Sequence, residues 1–238
     1  MIQQFEDLFR TVRNLHSVTD LLKSMGEKTG NILDIEDNFR GSSQMKACVE
    51  RVKAIPEANA LMEARYLGPE FDLEALSKLP EGTLGHTYAT VIKTLGFDAN
   101  AYLKRARAIE TDEDWVIMRL RKTHDIVHLL TGFGPTGGEL GVLSIQTVQI
   151  GYPMCVTMQV SSLGLAFKRQ PERLPELTDQ TARGMAMGLE MKPVIAQRFE
   201  DGWDKPVQQW RKELNISNPV IDEPYSLKNR LPGLDLAW

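Results

Sequence analysis

Apolar residues recur every three or four positions at Ile2, Phe5, Leu8, Phe9, Val12, Leu15, Val18, Leu21, Leu22 and Met25. That spacing lines one face of a helix and predicts a long amphipathic helix ended by Gly26. The same period predicts a shorter helix from Ser43 to Lys53 and a small one over Asp72–Leu76 that stops before Pro80. It also predicts a helix from Thr83 to Leu95 ended by Gly96, with Asp98 capping a further helix through Arg107. Thr111 and Asp114 resemble a capping box that opens a helix running to Leu130. Later helices are expected over Glu139–Ile150, Pro153–Phe167, Leu177–Glu200 and Trp203–Leu214, and residues 216–238 read as an extended tail. Strand-like alternation is nowhere sustained. The expected fold is all-α, one compact multi-helix domain over residues 1–238.

Between Glu139 and Lys168 no residue is charged, a stretch long enough to span a bilayer. It nevertheless carries Gln146, Gln149, Gln159 and several Ser and Thr, with Pro153 near its middle. Amides are costly in lipid, so the pattern reads as two core helices broken at Gly151-Tyr152-Pro153, not as a transmembrane segment. Such a core can also form a pocket for an apolar ligand.

Composition changes the picture little: 42% of residues are hydrophobic and 25% charged, as in ordinary globular proteins. The net charge of −4 argues against nucleic acid as a partner. Cys48 and Cys155, far apart in sequence, read as reduced and structural. Glu6 and Asp7 in the first turn speak against a secretory or organelle leader, so the expected location is the cytoplasm.

The segment HDIVHLLTGFGPTGGEL carries the most chemistry. His124 and His128 lie at i and i+4, so both imidazoles reach one point beside the helix. Glu139 follows a Gly- and Pro-rich turn from which a second helix can return its carboxylate. Imidazoles with carboxylates suit a divalent transition metal. Asp125 projects about 100° from His124, so it either ligates an off-axis ion or orients an imidazole. The competing reading is a polar helix face on which Arg121 pairs with Asp125. Ile126, Val127, Leu129 and Leu130 weigh against it, because they make the helix apolar nearly all round, and buried His and Asp need partners.

Leu79-Pro-Glu-Gly-Thr-Leu-Gly85, then Tyr88, the H-D-x-x-H…G-E run and Gly202-Trp203 with Trp210-Arg211 together resemble the coenzyme Q (ubiquinone) biosynthesis protein 4 family, in its bacterial-type form. The resemblance covers most of the chain. It implies an all-helical protein that binds a divalent metal through His124, Asp125, His128 and Glu139, these being its catalytic residues too. The implied reaction is a lyase-type oxidative decarboxylation at C1 of a polyprenylated benzoate-type ring, with a hydroxyl replacing the carboxylate. The alternative it carries is a non-catalytic prenyl-lipid-binding scaffold that organises quinone-biosynthesis enzymes, peripherally bound at the inner membrane. Ten residues separate His128 from Glu139, one fewer than the family pattern; the Gly-rich loop Phe133–Gly138 absorbs the difference, and Glu139 ligates directly or through water.

Zinc is the expected metal, with iron and magnesium as alternatives; zinc polarises, whereas iron adds redox chemistry. Met154, Met158, Met185, Met187 and Met191 are candidate contacts for a prenyl tail, set against ordinary core packing. Arg121 is a candidate for an anionic headgroup. Gly184 and Gly188 allow close helix approach within the domain or at the seam of an expected homodimer. A His-Asp phosphohydrolase would need further ligands such as His86 and Asp179, whose local context does not support it. A metalloprotease would need Glu where Asp125 stands.

Overall fold

The computed structural model describes residues 30–103, 108–134 and 138–220. Ten α-helices order these residues: α1 (Gly30–Phe39), α2 (Ser43–Lys53), α3 (Pro56–Glu63), α4 (Leu73–Leu76), α5 (Leu84–Leu95), α6 (Asp112–Thr131), α7 (Glu139–Ile150), α8 (Pro153–Arg169), α9 (Leu174–Glu190) and α10 (Val207–Glu213). Short 3-10 turns link several of them. Among the described residues no strand forms; the one β-type pairing given is an isolated bridge between Thr83 and Pro206. The all-α expectation holds. Asp98 does cap the next turn, its Oδ1 accepting from Asn100 N–H, but the described part of the helix expected from there is a 3-10 turn, Ala101–Leu103. Residues 104–107, the amphipathic stretch before Gly26 and most of the tail lie outside the described residues.

Contacts divide the chain into two compact units. The first contains α1, α2, α7, α8 and α9. Here α7 and α8 pack side by side, with α1 and α2 against α8 and α2 also on α7. Gly151 (φ 66°) reverses the chain between α7 and α8, and Pro153 stands in the first turn of α8, where its missing N–H costs nothing. The uncharged stretch is therefore two helices, and no helix among the described residues is long and apolar enough to cross a membrane. Cys48 and Cys155 are both buried, and neither is in a disulfide. Gly184 and Gly188 of α9 lie against α7: a Cβ on Gly184 would stand 2.3 Å from the Gly141 carbonyl oxygen. The close approach foreseen for these glycines is thus made inside the unit.

The second unit contains α3, α4, α5, α6 and α10. The capping box on α6 is formed in full, with Thr111 accepting from Asp114 N–H and the Asp114 carboxylate accepting from Thr111 N–H. Asp72, Thr83 and the left-handed Gly96 cap α4 and α5 as their sequence predicts. The first turn of α5 finds partners from far along the chain, because Leu84 N–H donates to Lys205 O and Gly85 N–H to Trp203 O. The P-E-G-T-L-G motif is thereby a helix start built to receive the Gly202–Lys205 segment. A side chain at Gly85 would strike Leu79, and one at Gly202 the Trp210 ring.

Two expected helices are shorter than the apolar pattern implied. The helix expected to reach Glu200 ends at Glu190, and 3-10 turns over Val194–Ala196 and Phe199–Asp201 follow. Pro193 is the cause: it has no N–H to give and pushes the residue before it out of the helical region. The helix expected from Trp203 starts at Val207, after Pro206, for the same reason.

Candidate metal centre

His124 and His128 are one turn apart on α6, with ring centroids 4.8 Å apart and planes at 80°. Their Nε2 atoms are 3.2 Å apart. His128 is buried, and its Nδ1 is 2.8 Å from the Phe133 carbonyl oxygen. A carbonyl only accepts, so Nδ1 carries the proton and the lone pair of His128 stands on Nε2, facing His124. Gly132 (φ 76°) makes this bond possible, because the left-handed turn after Thr131 swings Phe133 back over the last turn of α6.

The donor set fits a divalent transition metal. Two nitrogens bound at about 2.0–2.1 Å to one tetrahedral ion stand roughly 3.3 Å apart, close to the spacing of the two Nε2 atoms. Among the described residues of this unit, His124 and His128 are the candidate ligands of such an ion. Glu139 belongs to the other unit, where it is half-buried as the first residue of α7. In that unit burial pushes the Cys155 thiol well above its ordinary range, with the Glu139 and Glu36 carboxylates adding to the effect, so this cysteine stays protonated and inert.

Asp125 is not among the residues whose ligand atoms cluster with the two imidazoles. It lines a small apolar pocket with His128, Val91, Ile92, Leu95, Phe97 and Leu129, between α5 and α6. Its charge reaches Tyr88, whose phenol is pushed up chiefly by burial and further by this carboxylate. Arg121 is half-buried on α6. Met158 is core of α8, Met154 and Met187 are half-buried, Met185 is partly exposed, and Met191 is buried in the other unit. None lines the pocket at His128. His86 meets the Leu79 carbonyl at the start of α5, and Asp179 lies near Arg183 on exposed α9, so neither joins the histidine pair.

Sequence reasoning missed a buried ionic cluster one turn before the histidines. Arg119 and Glu200 are both fully buried and paired through two bonds of 2.6 and 3.1 Å. Arg119 also donates to Leu67 O and Gln197 O, and Lys122 donates to Gly68 O and Pro69 O, with Glu200 3.9 Å away. The Lys122 ammonium faces the Phe71 and Tyr102 rings. These bonds hold the turn at residues 66–71 against α6. The signal lay in view: two cations on the core-facing side of an apolar helix require a buried anion.

Burial lowers the Lys122 amine to about 8 from 10.5, while Glu200 pulls it back upward. Between those two values the unfolded chain binds a proton that the folded chain does not, so resistance to unfolding rises with pH across that window. The expected slope is at most about 1.4 kcal/mol per pH unit. Above pH 10 the raised Tyr102 acts in the opposite sense, because the unfolded phenol ionises first. Urea titrations at pH 7.5 and 9.5 should show the rise in the parent protein and its loss in Lys122→Met; equal pH slopes would contradict it.

The family model for "Coenzyme Q (ubiquinone) biosynthesis protein Coq4" matches residues 21–220. The chain is 26% identical over 208 residues to the mitochondrial ubiquinone biosynthesis protein COQ4 homolog of Aedes aegypti, covering 85% of this chain and 70% of that protein. It is 31% identical over 201 residues to the Anopheles gambiae homolog, covering 83% and 66%. A crystal structure described as a ubiquinone biosynthesis protein of Nostoc punctiforme superposes with a TM-score of 0.78 at 28% identity, over 90% of this chain and 99% of that one.

Proposed function

The chain belongs to the coenzyme Q (ubiquinone) biosynthesis protein Coq4 family, and on that footing we propose that it is a metal-dependent enzyme acting on a polyprenylated benzoate-type ring. The reaction is oxidative decarboxylation at C1: the ring carboxylate leaves as carbon dioxide, water supplies the hydroxyl that takes its place, and dioxygen takes up the two electrons and two protons released and leaves as hydrogen peroxide. The observation that carries the reading is the His124–His128 pair, with Nε2 atoms at 3.2 Å and the proton of His128 fixed on the other nitrogen. Such a pair is arranged to share one cation.

In this reading His124 and His128 hold the ion, and Glu139 supplies a carboxylate directly or through water. The metal, zinc or iron, contributes Lewis acidity and, if iron, redox capacity. The chain's own residues do the rest. The Phe133 carbonyl keeps the His128 lone pair on Nε2. Val91, Ile92, Leu95 and Leu129 give His128 an apolar flank that keeps water from it. Asp125, in the same pocket, accepts or returns a proton at its carboxylate. A prenyl tail gains about 0.8 kcal/mol for each buried methylene, so tail burial dominates affinity. Arg121 is the candidate partner of a charged headgroup, and attachment is to the surface of the inner membrane.

The test uses purified protein, stripped of metal and reloaded with zinc or iron, and given a prenylated hydroxybenzoate in air. Mass spectrometry reads the exchange of carboxyl for hydroxyl. His128→Ala should lower bound metal and cut product at least 100-fold, with the helical circular dichroism retained. Product formation that survives in this variant rules the reading out. A parent protein that binds the lipid and metal without turnover makes it a scaffold with a structural ion instead.

A further inference from the structure

Phe97 is the only large apolar side chain that stands exposed among the described residues of its unit, at 44%. It lines two spaces at once. On one side is the apolar pocket that holds His128 and Asp125. On the other is an open groove of about 490 Å³, walled in part by Phe71, Leu73 and the acids Glu70, Asp72 and Asp98. The inner pocket is full: its volume of about 10 Å³ is no more than one water molecule needs. A ring can reach His128 from this side only if a wall moves. Val91, Ile92 and Leu129 are buried in the core, and Leu95 and Asp125 are half-buried. Of the walls, Phe97 alone stands against open space.

The fold fixes the backbone of Phe97 from both sides. Helix α5 ends at left-handed Gly96 (φ 68°), and Phe97 N–H then donates to Ile92 O at 3.0 Å. The next turn closes on Asp98, whose carbonyl accepts from Ala101 N–H and whose Oδ1 accepts from Asn100 N–H. A movement of this wall is therefore a side-chain rotation between staggered rotamers, fast for an exposed residue and free of any backbone rearrangement.

We propose that the Phe97 phenyl group is a plug in the His128 pocket, and that an aromatic ring takes its place when it swings into the groove. The proposal rests on reading the His124–His128 pair as a metal centre that acts on a ring, and adds the residue that admits the ring. Size favours an aromatic occupant, because the space vacated is that of a phenyl group and small apolar cavities accept benzene. Charge favours an uncharged face at this wall: Asp125 in the pocket and Glu70, Asp72 and Asp98 in the groove oppose an anion. A plug lowers affinity in proportion to the time it stays closed, so removing it tightens binding.

The test is binding of para-fluorophenol to the metal-free full chain, followed by fluorine nuclear magnetic resonance and by the imidazole signals of His128. The expected result is weak binding to the parent and roughly 10-fold tighter binding to Phe97→Ala, with Phe97→Leu between them. In each case the His128 signals shift as the probe binds. Phe97 is exposed, so the variants keep the helical circular dichroism of the parent; should Phe97→Ala lose it, Phe97→Leu carries the comparison. Equal affinity in the parent and both variants overturns the proposal. So does binding that leaves the His128 signals unmoved, which puts the probe in the outer groove. Absence of binding to the folded variants overturns it as well. No turnover is read, so a protein without decarboxylase activity leaves this outcome intact, and a failure here leaves the metal centre to its own test.

Discussion

Glu200→Ala should lower stability by about 3–5 kcal/mol, the cost of stranding a buried cation. For a chain of this size that is a fall in melting temperature on the order of 10 °C. The carboxylate accepts both bonds of the Arg119 fork and stands 3.9 Å from Lys122, and all three side chains are fully buried. Its removal leaves two ammonium-type charges without an anion. Arg119 retains Leu67 O and Gln197 O, but its Nε already has no partner. Lys122 can escape by losing its proton, since Glu200 is what holds its titration up toward the ordinary range. The deficit of Glu200→Ala should accordingly be largest near pH 6 and shrink above pH 8. Glu200→Gln keeps an acceptor without the charge and should fall between the two. Chemical denaturation at both pH values reads all of this. A loss under about 1 kcal/mol, or one that grows with pH, would show that the cluster is hydrated in solution. Replacing all three together, as R119M/K122M/E200L, should recover much of the loss, because apolar groups need no counter-charge.

That cluster also marks where the sequence stopped being informative. The helix starts at Asp72, Thr83 and Thr111 were legible because capping is local: a side chain meets a backbone N–H two or three residues on. Helix α3 went unread although Pro56 at its first position is itself a start signal. The ends near Pro193 and Pro206 were misplaced because the apolar period continues through them while the hydrogen bonding cannot. At the metal centre the i, i+4 histidine pair could be read from spacing. The carbonyl that fixes the His128 tautomer could not, since it depends on a left-handed Gly132 returning Phe133 to the helix end. The pairing of Arg119 with Glu200 joins residues far apart along the chain, and only folding brings them together.

Gly184→Ala is the second change with a large expected effect, a net loss of about 3 kcal/mol at the upper end of overpacking costs. The added carbon would stand 2.3 Å from the Gly141 carbonyl oxygen and 2.8 Å from the Gly141 Cα. Both obstacles are backbone, so no rotamer relieves the contact and α9 must move off α7. Moving it also disturbs Gly188, where a Cβ would meet Ile145 Cα at 2.9 Å, and the bond from Gln149 Nε2 to Gly188 O. Helix propensity pulls the other way, since Ala is favoured over Gly by about 1 kcal/mol in a helix interior. Gly164→Ala on α8 isolates that opposing term, because nothing lies within 4 Å of its Cβ position; it should be neutral or slightly stabilising in the monomer. Thermal unfolding of the two variants side by side separates packing from propensity. If both behave like Gly164→Ala, α7 and α9 are not in contact through these glycines. If Gly184→Ala instead changes the mass of the assembly and leaves the melting temperature alone, the glycine lies at a seam between copies, and the close helix crossing inside the unit is wrong.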